Sequence, residues 1–526
     1  MPNLAHFLFL FILSGRVLGA DGVHRVSIVS ALNEVYGSPS SGLLWSSSGL
    51  ETDQAKELKR AFLNAGAYGL SPKAFDLSQA VDPLKPDLKT QEGARQYDRL
   101  ITANALKLIQ AISWGLLSPE WPSESRPSNA EHLLADRVRQ LASSPSVADL
   151  LASWEPRGEE YAALKRALRS YLEMIPVSGP QGIKLPRKLV QGDRHPDIQK
   201  IRKLLIVNKY IPQEGVSLDA DMFDAQMEAA LRAFQAHRGL EDDGVLGAAT
   251  LRELQVGPEQ LAKKIALNLE RLREHQRKDP SRPFVQVNIP SFSLEAHDPS
   301  SSVSRSVLAM KVMVGRADDN KSTPLFSSKL TSVTLRPYWN VPSGIVRKEI
   351  IPAVNARPGY LVKNEMELVS EAVVGEGFLV EPSLDNLNKA ALGSLILRQR
   401  PGLKNALGLF KFSFPNTSQI YLHGTPKVAL FGRVRRDFSH GCIRLEDPAA
   451  LAEWLLRGSE EWSRARISEV AADEAVFSKR ISLPAPVDVE IAYYTVTIGA
   501  GGELFFWPDI YGLDEQLRSN LFPDQN

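Results

Sequence analysis

The period of the hydrophobic pattern changes near Phe284, and this change restricts the chain to a fold with separate helical and β parts. Before it, segments such as DQAKELKRAFLNAG place apolar residues three and four positions apart, the period of an amphipathic helix. After it, segments such as KLTSVTLRPYWNVP carry β-branched and alternating apolar residues between Gly and Pro. The chain's 526 residues also exceed what one core holds. We therefore predict a multidomain α+β protein, with helices first and a mostly-β domain after them.

The charge balance argues against one class of partner. The chain has 62 basic and 61 acidic residues, which gives a net charge of +1. A nucleic-acid-binding protein needs a basic excess or stripe to neutralise phosphates, so no nucleic-acid partner is expected. No segment offers 18 consecutive apolar residues, so no membrane-spanning helix is expected either. The sequence carries no indication of an oligomeric state.

The N-terminus has the layout of a secretory signal peptide. A short apolar run, Phe7 to Leu13, is followed by small residues around Gly19 and Ala20. We predict a signal peptide at residues 1–20 and an exported, periplasmic protein. No Lys or Arg precedes the apolar run, so a buried first helix is the alternative.

Two helical regions follow without a catalytic pattern. Residues 21–190 are predicted to form a helical scaffold domain, because their amphipathic segments contain no set of side chains typical of an active site. A charged amphipathic segment with a proline near its start begins at Pro258 and predicts a connecting helix within residues 258–282.

Residues 191–257, between these regions, have the pattern of a compact three-helix unit. The stretch IQKIRKLL … FDAQMEAALRAFQAHRGLEDDGVLGAATLREL resembles the peptidoglycan-binding domain family. The residues that carry the resemblance are Phe234–Gln235, Gly239–Leu240, Asp243–Gly244, Thr250 and Leu254. The resemblance implies binding to glycan strands of the cell wall. Such modules also serve as rigid spacers, because a fold alone does not establish a function.

The single cysteine of the chain, Cys442, stands in the segment DFSHGCIRL. His423 follows the strand-like IYL nineteen residues earlier, and His440 lies two residues before the cysteine. A thiol attacks as the thiolate, and a nearby imidazole takes its proton or stabilises its charge. Gly441 permits close approach of a substrate, and its N–H beside that of Cys442 is suited to an oxyanion hole. The pattern predicts a cysteine nucleophile with a histidine base.

Other interpretations of the same residues stay open. His423, His440 and Cys442 have the chemistry of three zinc ligands with water as the fourth. A lone cysteine is also commonly a small buried hydrophobe, and in an exported protein it sometimes forms an intermolecular disulfide.

The segments HGTP and FSHGCIRL, nineteen residues apart at their His and Cys, resemble the signature of the YkuD-type L,D-transpeptidase catalytic domain. Further matches are VGR at 314–316, STP at 322–324, YWNVP at 338–342, RQRPGLKNALG at 398–408 and FPN at 414–416. The resemblance implies a catalytic domain at 283–480 with an inserted lid at about 341–409. Residues 481–526 are then a C-terminal β segment that packs on the scaffold or the catalytic domain.

The resemblance assigns roles by position. It implies four catalytic residues: the nucleophile Cys442, the general base His423, Gly424, whose carbonyl orients the imidazole, and His440, which shapes the turn. It implies six substrate-binding residues: Tyr421, Ser439, Gly441, Arg444, Trp339 and Asn340. Arg444 is expected to grip a substrate carboxylate, with a structural pair to Asp447 as the alternative.

The activity implied by the resemblance is two-step acyl transfer without a cofactor or metal. A donor stem peptide of peptidoglycan acylates the cysteine and releases D-Ala, and an acceptor stem amine resolves the thioester as a 3–3 crosslink. Carbapenems are expected to acylate the same thiol. The alternatives within the family are an L,D-carboxypeptidase and an enzyme that attaches lipoprotein to the wall or detaches it. A catalytically idle wall-binding scaffold and a zinc peptidase are alternatives of other classes.

Overall fold

The computed structural model describes residues 27–37, 42–77, 86–116, 127–176, 182–185, 187–212, 221–275, 281–299, 307–318, 321–370 and 379–522. They form two compact units, one of residues up to 275 together with 494–522, and one of residues 281–493. The signal peptide predicted at residues 1–20 lies outside the described residues.

The first unit begins with a helical region built around one long helix. Its elements are α1 Ile28–Tyr36, β1 Ser46–Ser47, β2 Leu50–Glu51, α2 Asp53–Leu63, the 3-10 turns Ala65–Tyr68 and Pro72–Phe75, α3 Gln91–Trp114, α4 Ala130–Ser143, α5 Val147–Ser153 and α6 Glu159–Met174. Most of α3 is buried, and Thr90 caps its start by accepting the Gly93 N–H. No helix of the described residues is long and apolar enough to cross a membrane.

A three-helix module follows, with α7 Ile198–Val207, α8 Ala225–His237 and α9 Ala248–Leu254 around a common apolar core. The buried side chain of Gln235 links α8 to the turn and to α9. Its Nε2 donates to Asp243 Oδ1 at 2.9 Å and to Thr250 Oγ1 at 3.1 Å, and its Oε1 accepts the Gly244 N–H at 2.9 Å. The motif residues of this module therefore serve its fold.

The predicted connecting helix is α10, Pro258–Glu274, and it begins at its proline as expected. This helix also contributes to a hydrophobic core. Its Leu261, Ile265 and Leu269 are buried together with Leu164 and Leu168 of α6.

The second unit contains two sheets and several short helices. Its strands are β3 Phe284–Asn288, β4 Ser293–His297, β5 Leu308–Gly315, β6 Phe326–Leu335, β7 Trp339–Asn340, β8 Met366–Val369, β9 Leu379–Val380, β10 Ile396–Gln399, β11 Phe410–Ser413, β12 Leu422–His423, β13 Asp437–Ser439, β14 Ile443–Leu445 and β15 Lys479–Ala492. Its helices are α11 Ser343–Ile345, the π-helical turn Val346–Ile350, α12 Ile351–Ala356, α13 Tyr360–Lys363, α14 Leu384–Ala391, the 3-10 turn Val428–Gly432, α15 Pro448–Leu455 and α16 Arg464–Ala472.

The larger sheet has the strand order β13-β5-β14-β12-β11-β6-β15-β3-β4, and β4 also pairs with β5, so the pairings close into a ring. The mostly-β domain predicted after Phe284 is thus confirmed. In its middle, the short β12 pairs in parallel with β14 and antiparallel with β11.

The end of this domain differs from the predicted boundary at residue 480. β15 continues to Ala492 and pairs with both β6 and β3. Residues 483–486 contain two prolines, which are unfavourable inside a sheet because proline has no N–H to donate. In the structure they fall at the shift of register between Ser482 and Val487, where a missing N–H costs no ladder hydrogen bond.

The smaller sheet, of order β7-β10-β8-β9, belongs to an insert (residues 336–409) between β6 and β11. The insert has a hydrophobic core of its own, which includes Val346, Leu368, Leu387 and Leu397. Its base is held by the buried Asn405, whose side-chain amide donates to the carbonyls of Pro337 and Arg400. The lid predicted at about 341–409 corresponds in position to this insert.

The chain beyond β15 belongs to the first unit. β16 Val496–Ile498 and β17 Leu504–Phe506 form a hairpin, and α17 Leu513–Leu521 follows it. Val496 and Phe506 are buried with residues of α6 and α10. The predicted segment 481–526 is therefore divided, with its first part in the larger sheet and the rest in the helical unit.

Candidate active site

Strands β11, β12 and β14 bring the predicted nucleophile and base together. His423 pairs with Arg444 on one side and with Lys411 on the other. Paired residues of a ladder lie on one face of the sheet, as do residues two apart along a strand. Lys411, His423 and Arg444 therefore form one row, and Tyr421 and Cys442 lie on the same face, two positions before His423 and Arg444. We call these five residues the catalytic face.

His423 is buried, with 4% of its side chain exposed. Its Nδ1 lies 2.5 Å from the carbonyl oxygen of Gly424. A carbonyl only accepts, so Nδ1 carries the proton and Nε2 keeps its lone pair. Burial lowers the pKa of His423 to about 3, and the charges of Arg444 and Lys411 add to this effect. The imidazole is therefore neutral at physiological pH, which leaves its Nε2 unprotonated.

Cys442 is half-buried and unpaired. The hydroxyl and the backbone of Tyr421 lie near its thiol, and the side chain of Trp339 lies near the same hydroxyl. Burial raises the pKa of the thiol, while Tyr421, Lys411 and Arg444 oppose this by favouring the thiolate. The site therefore contains a neutral thiol and a neutral imidazole.

Ser439 closes the turn that carries Cys442. Its Oγ donates to the Cys442 carbonyl at 2.5 Å and accepts the Gly441 N–H at 3.1 Å. The Gly441 N–H, predicted for an oxyanion hole, is thus already engaged, and the Cys442 N–H has no acceptor in the described part of the chain. Because Ser439 is buried, its contacts serve the loop.

The backbone of Gly441 explains the need for glycine before the cysteine. Its φ is +116°, which L side chains rarely adopt, and a Cβ there would lie 3.2 Å from Ile420. Thr323 supports the same turn, because its buried hydroxyl donates to the Gly441 carbonyl at 2.7 Å and accepts the Gly315 N–H at 2.8 Å. The VGR and STP segments therefore support the turn that carries Cys442.

The insert contacts the site at two points. Trp339, on β7, lies near the Tyr421 hydroxyl as described above. His440 lies at the surface with its Nε2 2.6 Å from Glu349 Oε1, so its partner is in the insert. Asn340, also on β7, is exposed and pairs with Arg398 in the smaller sheet. Glu349 was not identified from the sequence, where no signal relates it to His440, 91 residues away.

The structural alternative for Arg444 is not realised. Asp447 accepts the Ala450 N–H as the cap of α15 and pairs with Arg464 at 3.1 Å. The Nε of Arg444 is buried without a hydrogen-bond partner in the described chain. Its guanidinium therefore remains available to a ligand on the catalytic face.

Lys411 is the member of the catalytic face that the sequence analysis missed. Its Nζ lies 4.3 Å from the centre of the Tyr421 ring, and burial lowers its pKa. A signal was present in FKFS: Phe410 and Phe412 alternate with Lys411, so the lysine lies on the opposite face from the buried rings. Only the register shows that this is the face of His423.

Among the described residues, no three His, Cys, Asp or Glu side chains are grouped so that they could hold a metal ion.

Three family models match separate parts of the chain. Residues 282–467 match the YkuD family, described as "L,D-transpeptidase catalytic domain". Residues 30–168 match a family described as "Scaffold domain", and residues 194–254 match a family described as "Putative peptidoglycan binding domain".

Curated relatives cover parts of the chain. A "Putative L,D-transpeptidase" of Haemophilus influenzae is 31% identical over 259 residues, which are 49% of this chain and 49% of the relative. The "N-acetylmuramoyl-L-alanine amidase CwlM" of Mycobacterium tuberculosis is 39% identical over 70 residues, or 12% of this chain and 17% of the relative. The chain thus spans about half the length, or less, of these relatives.

A solved L,D-transpeptidase of Xylanimonas cellulosilytica covers 59% of this chain and 100% of that chain, at 13% identity and a TM-score of 0.16. A score this low adds no weight, so the assignment rests on the family models and the Haemophilus influenzae relative. The chain carries a scaffold domain and a peptidoglycan-binding domain, and its residues 282–467 form an L,D-transpeptidase catalytic domain of the YkuD family.

Proposed function

We propose that this protein forms 3–3 crosslinks in peptidoglycan, with Cys442 as the nucleophile and His423 as the general base. The observation that carries the proposal is the catalytic face. There a buried, neutral imidazole, whose Nδ1 is bonded to the Gly424 carbonyl, lies on the strand next to an unpaired thiol. The match of residues 282–467 to the L,D-transpeptidase catalytic domain supports the same reaction.

In the first half-reaction, the sulfur of Cys442 attacks the carbonyl that joins the third residue of a donor stem, meso-diaminopimelate, to the terminal D-Ala. His423 Nε2 takes the thiol proton as the C–S bond forms. The Cys442 N–H is available to the developing oxyanion. The C–N bond then breaks, His423 returns the proton to the leaving amine, and D-Ala departs from a thioester.

In the second half-reaction, the side-chain amine of an acceptor stem attacks the thioester. His423 accepts a proton from this amine, and the sulfur leaves and recovers a proton. The contacts of Trp339 and Glu349 with the site support a lid role for the insert, because a cover over the thioester favours the amine over water.

The domains acting on peptidoglycan indicate a place in the cell wall or envelope. We place the protein in the periplasm, exported through the signal peptide at 1–20, and we assign binding of glycan strands to the 191–257 module. Fractionation of cells that produce the full chain tests the first assignment. Sedimentation with purified wall sacculi tests the second.

The decisive experiment is intact-protein mass after incubation with a carbapenem, for the wild type beside Cys442→Ala. We expect one adduct on the wild type and none on the variant. Wild type is then incubated with tetrapeptide stems, and the products are separated by mass. A 3–3 dimer supports crosslinking, a tripeptide alone indicates a carboxypeptidase, and no adduct on folded wild type rejects the proposed activity.

A further inference from the structure

The catalytic face carries two cations that the protein does not pair. Lys411 makes no hydrogen bond or ion pair within the described chain, and its Nζ lies over the Tyr421 ring at 4.3 Å. Arg444 likewise has a buried Nε with no partner in that part of the protein. Burial lowers the pKa of both groups, which shows that their charges are partly desolvated. Both residues are half-buried, and charges that are partly removed from water are normally paired, so this face is complementary to an anionic ligand.

The strand register places the two cations on opposite sides of His423. Arg444 is on the strand of Cys442, two residues after it, whereas Lys411 lies across His423 from that strand. Adjacent strands are about 4.8 Å apart, so the backbones of the two cations are separated by roughly 10 Å. A ligand with two anionic groups, one near each cation, therefore fits the row.

The proposed reaction fixes the direction in which the donor peptide lies along the row of Lys411, His423 and Arg444. The scissile carbonyl must meet Cys442, and the leaving amine must meet His423, which protonates it. The leaving residue is therefore on the Lys411 side of the imidazole. In a donor that ends at this residue, its carboxylate is separated from the leaving nitrogen by a single carbon, within the reach of a lysine ammonium.

We propose that Lys411 binds the terminal carboxylate of the leaving residue and thereby selects donor stems that end there. Arg444 takes the carboxylate on the acyl side. This inference rests on the proposed function and adds the residue that distinguishes donors by where they end. A donor extended by one more residue has an amide at this position, which leaves the ammonium of Lys411 without its counter-ion.

The alternative role for Lys411 is to stabilise the thiolate, because its charge also acts to lower the pKa of Cys442. The two roles differ in their dependence on the donor. A carboxylate-binding lysine affects only donors that carry the carboxylate. A thiolate-stabilising lysine affects every electrophile, including the neutral reagent iodoacetamide.

The test uses the full chain and two synthetic tetrapeptides that differ only at the end, one with D-Ala and one with D-alaninamide. Release of the terminal residue is measured by mass spectrometry, and kcat/KM is determined for the wild type, Lys411→Met and Lys411→Arg. We expect the wild type to prefer the acid by about 10- to 100-fold, from the usual strength of a hydrogen bond between charged groups. Lys411→Met should lose that factor for the acid only, and Lys411→Arg should retain most of it.

Arg480 provides a matched control cation. It lies two strands beyond Lys411, paired with Thr334, and is exposed. Arg480→Gln should leave the preference unchanged. An equal loss for both donors in Lys411→Met, with slower iodoacetamide alkylation, would overturn the proposal in favour of thiolate stabilisation. If the wild type forms the carbapenem adduct but releases the terminal residue equally from both donors, the role of Lys411 is overturned and the proposed function stands. If the wild type forms no adduct and releases no terminal residue, the proposed function is overturned as well.

Discussion

The Gln235 cluster of the three-helix module and the catalytic face of the second unit are both built from buried or half-buried polar groups around a sequence motif. Around Gln235, both ends of the side-chain amide are hydrogen-bonded, to Asp243, Thr250 and Gly244. On the catalytic face, His423 Nδ1 is bonded to the Gly424 carbonyl, whereas Lys411 has only the Tyr421 ring beside its Nζ and the buried Nε of Arg444 has no hydrogen-bond partner in the described chain.

The difference separates motifs that specify a fold from motifs that specify chemistry. A buried polar group that is fully hydrogen-bonded stabilises one arrangement of the chain and offers nothing to a ligand. A buried group left unpaired costs free energy of folding, and that cost is offset only when a ligand supplies the partner. The first cluster accordingly predicts effects on stability, and the second predicts effects on activity.

The largest expected effect is that of His423→Ala. Loss of the general base should slow thioester formation by about 10²- to 10⁴-fold, and combining it with Cys442→Ala should be no worse than Cys442→Ala alone. The rate of thioester formation is measured by mixing the protein with a tetrapeptide donor and quenching samples at set times. Alkylation of Cys442 at high pH serves as the control for an intact fold, and near-normal acylation by His423→Ala would show that the face has another base.

The next largest effect is the pH dependence of Cys442 alkylation, which follows from the protonation state of the thiol. Because burial raises the pKa of Cys442 and keeps His423 neutral, the thiolate is a minor form below pH 9. Alkylation by iodoacetamide should therefore rise about tenfold per pH unit between pH 6 and pH 8. An ion-paired thiolate would instead react at nearly the same rate across this range, and such a flat profile would contradict the neutral pair.

Gln235→Leu tests the other cluster. The change leaves the Gly244 N–H and the Thr250 hydroxyl without this partner, and should destabilise the module by about 1–3 kcal/mol. Hydrogen exchange of the α8 amides reports this opening locally, because a multidomain chain does not unfold in one step. The rate of carbapenem acylation should not change. Unaltered exchange together with lost binding to sacculi would instead assign Gln235 to ligand recognition.

The smallest expected effect concerns the contact between the insert and the nucleophile loop. Glu349→Gln removes the negative charge that faces His440 and should lower kcat for a stem donor by about two- to fivefold, since exposed pairs contribute about 0–1 kcal/mol. Glu349→Asp is the conservative control. Alkylation of Cys442 by iodoacetamide, a small reagent, should stay the same, and an equal fall there would place the effect in the loop itself.

Local patterns in the sequence were enough to predict the order of the domains. Helix-period segments, the three-helix motif and the alternating strands after Phe284 depend on residues close together in the chain, and the structure and the family models confirm this architecture. The single cysteine and the histidine after IYL also stand out locally, because their chemistry is evident without knowledge of their neighbours.

What only the tertiary structure decided depends on contacts between distant segments. The pairing of β11 with β12 places Lys411 beside His423, and the insert supplies Glu349 as the partner of His440. The shift of register at Ser482 lets β15 continue through two prolines that end a strand on local criteria. Strand register and long-range contacts arise from packing of the whole domain, so no short stretch of sequence contains them.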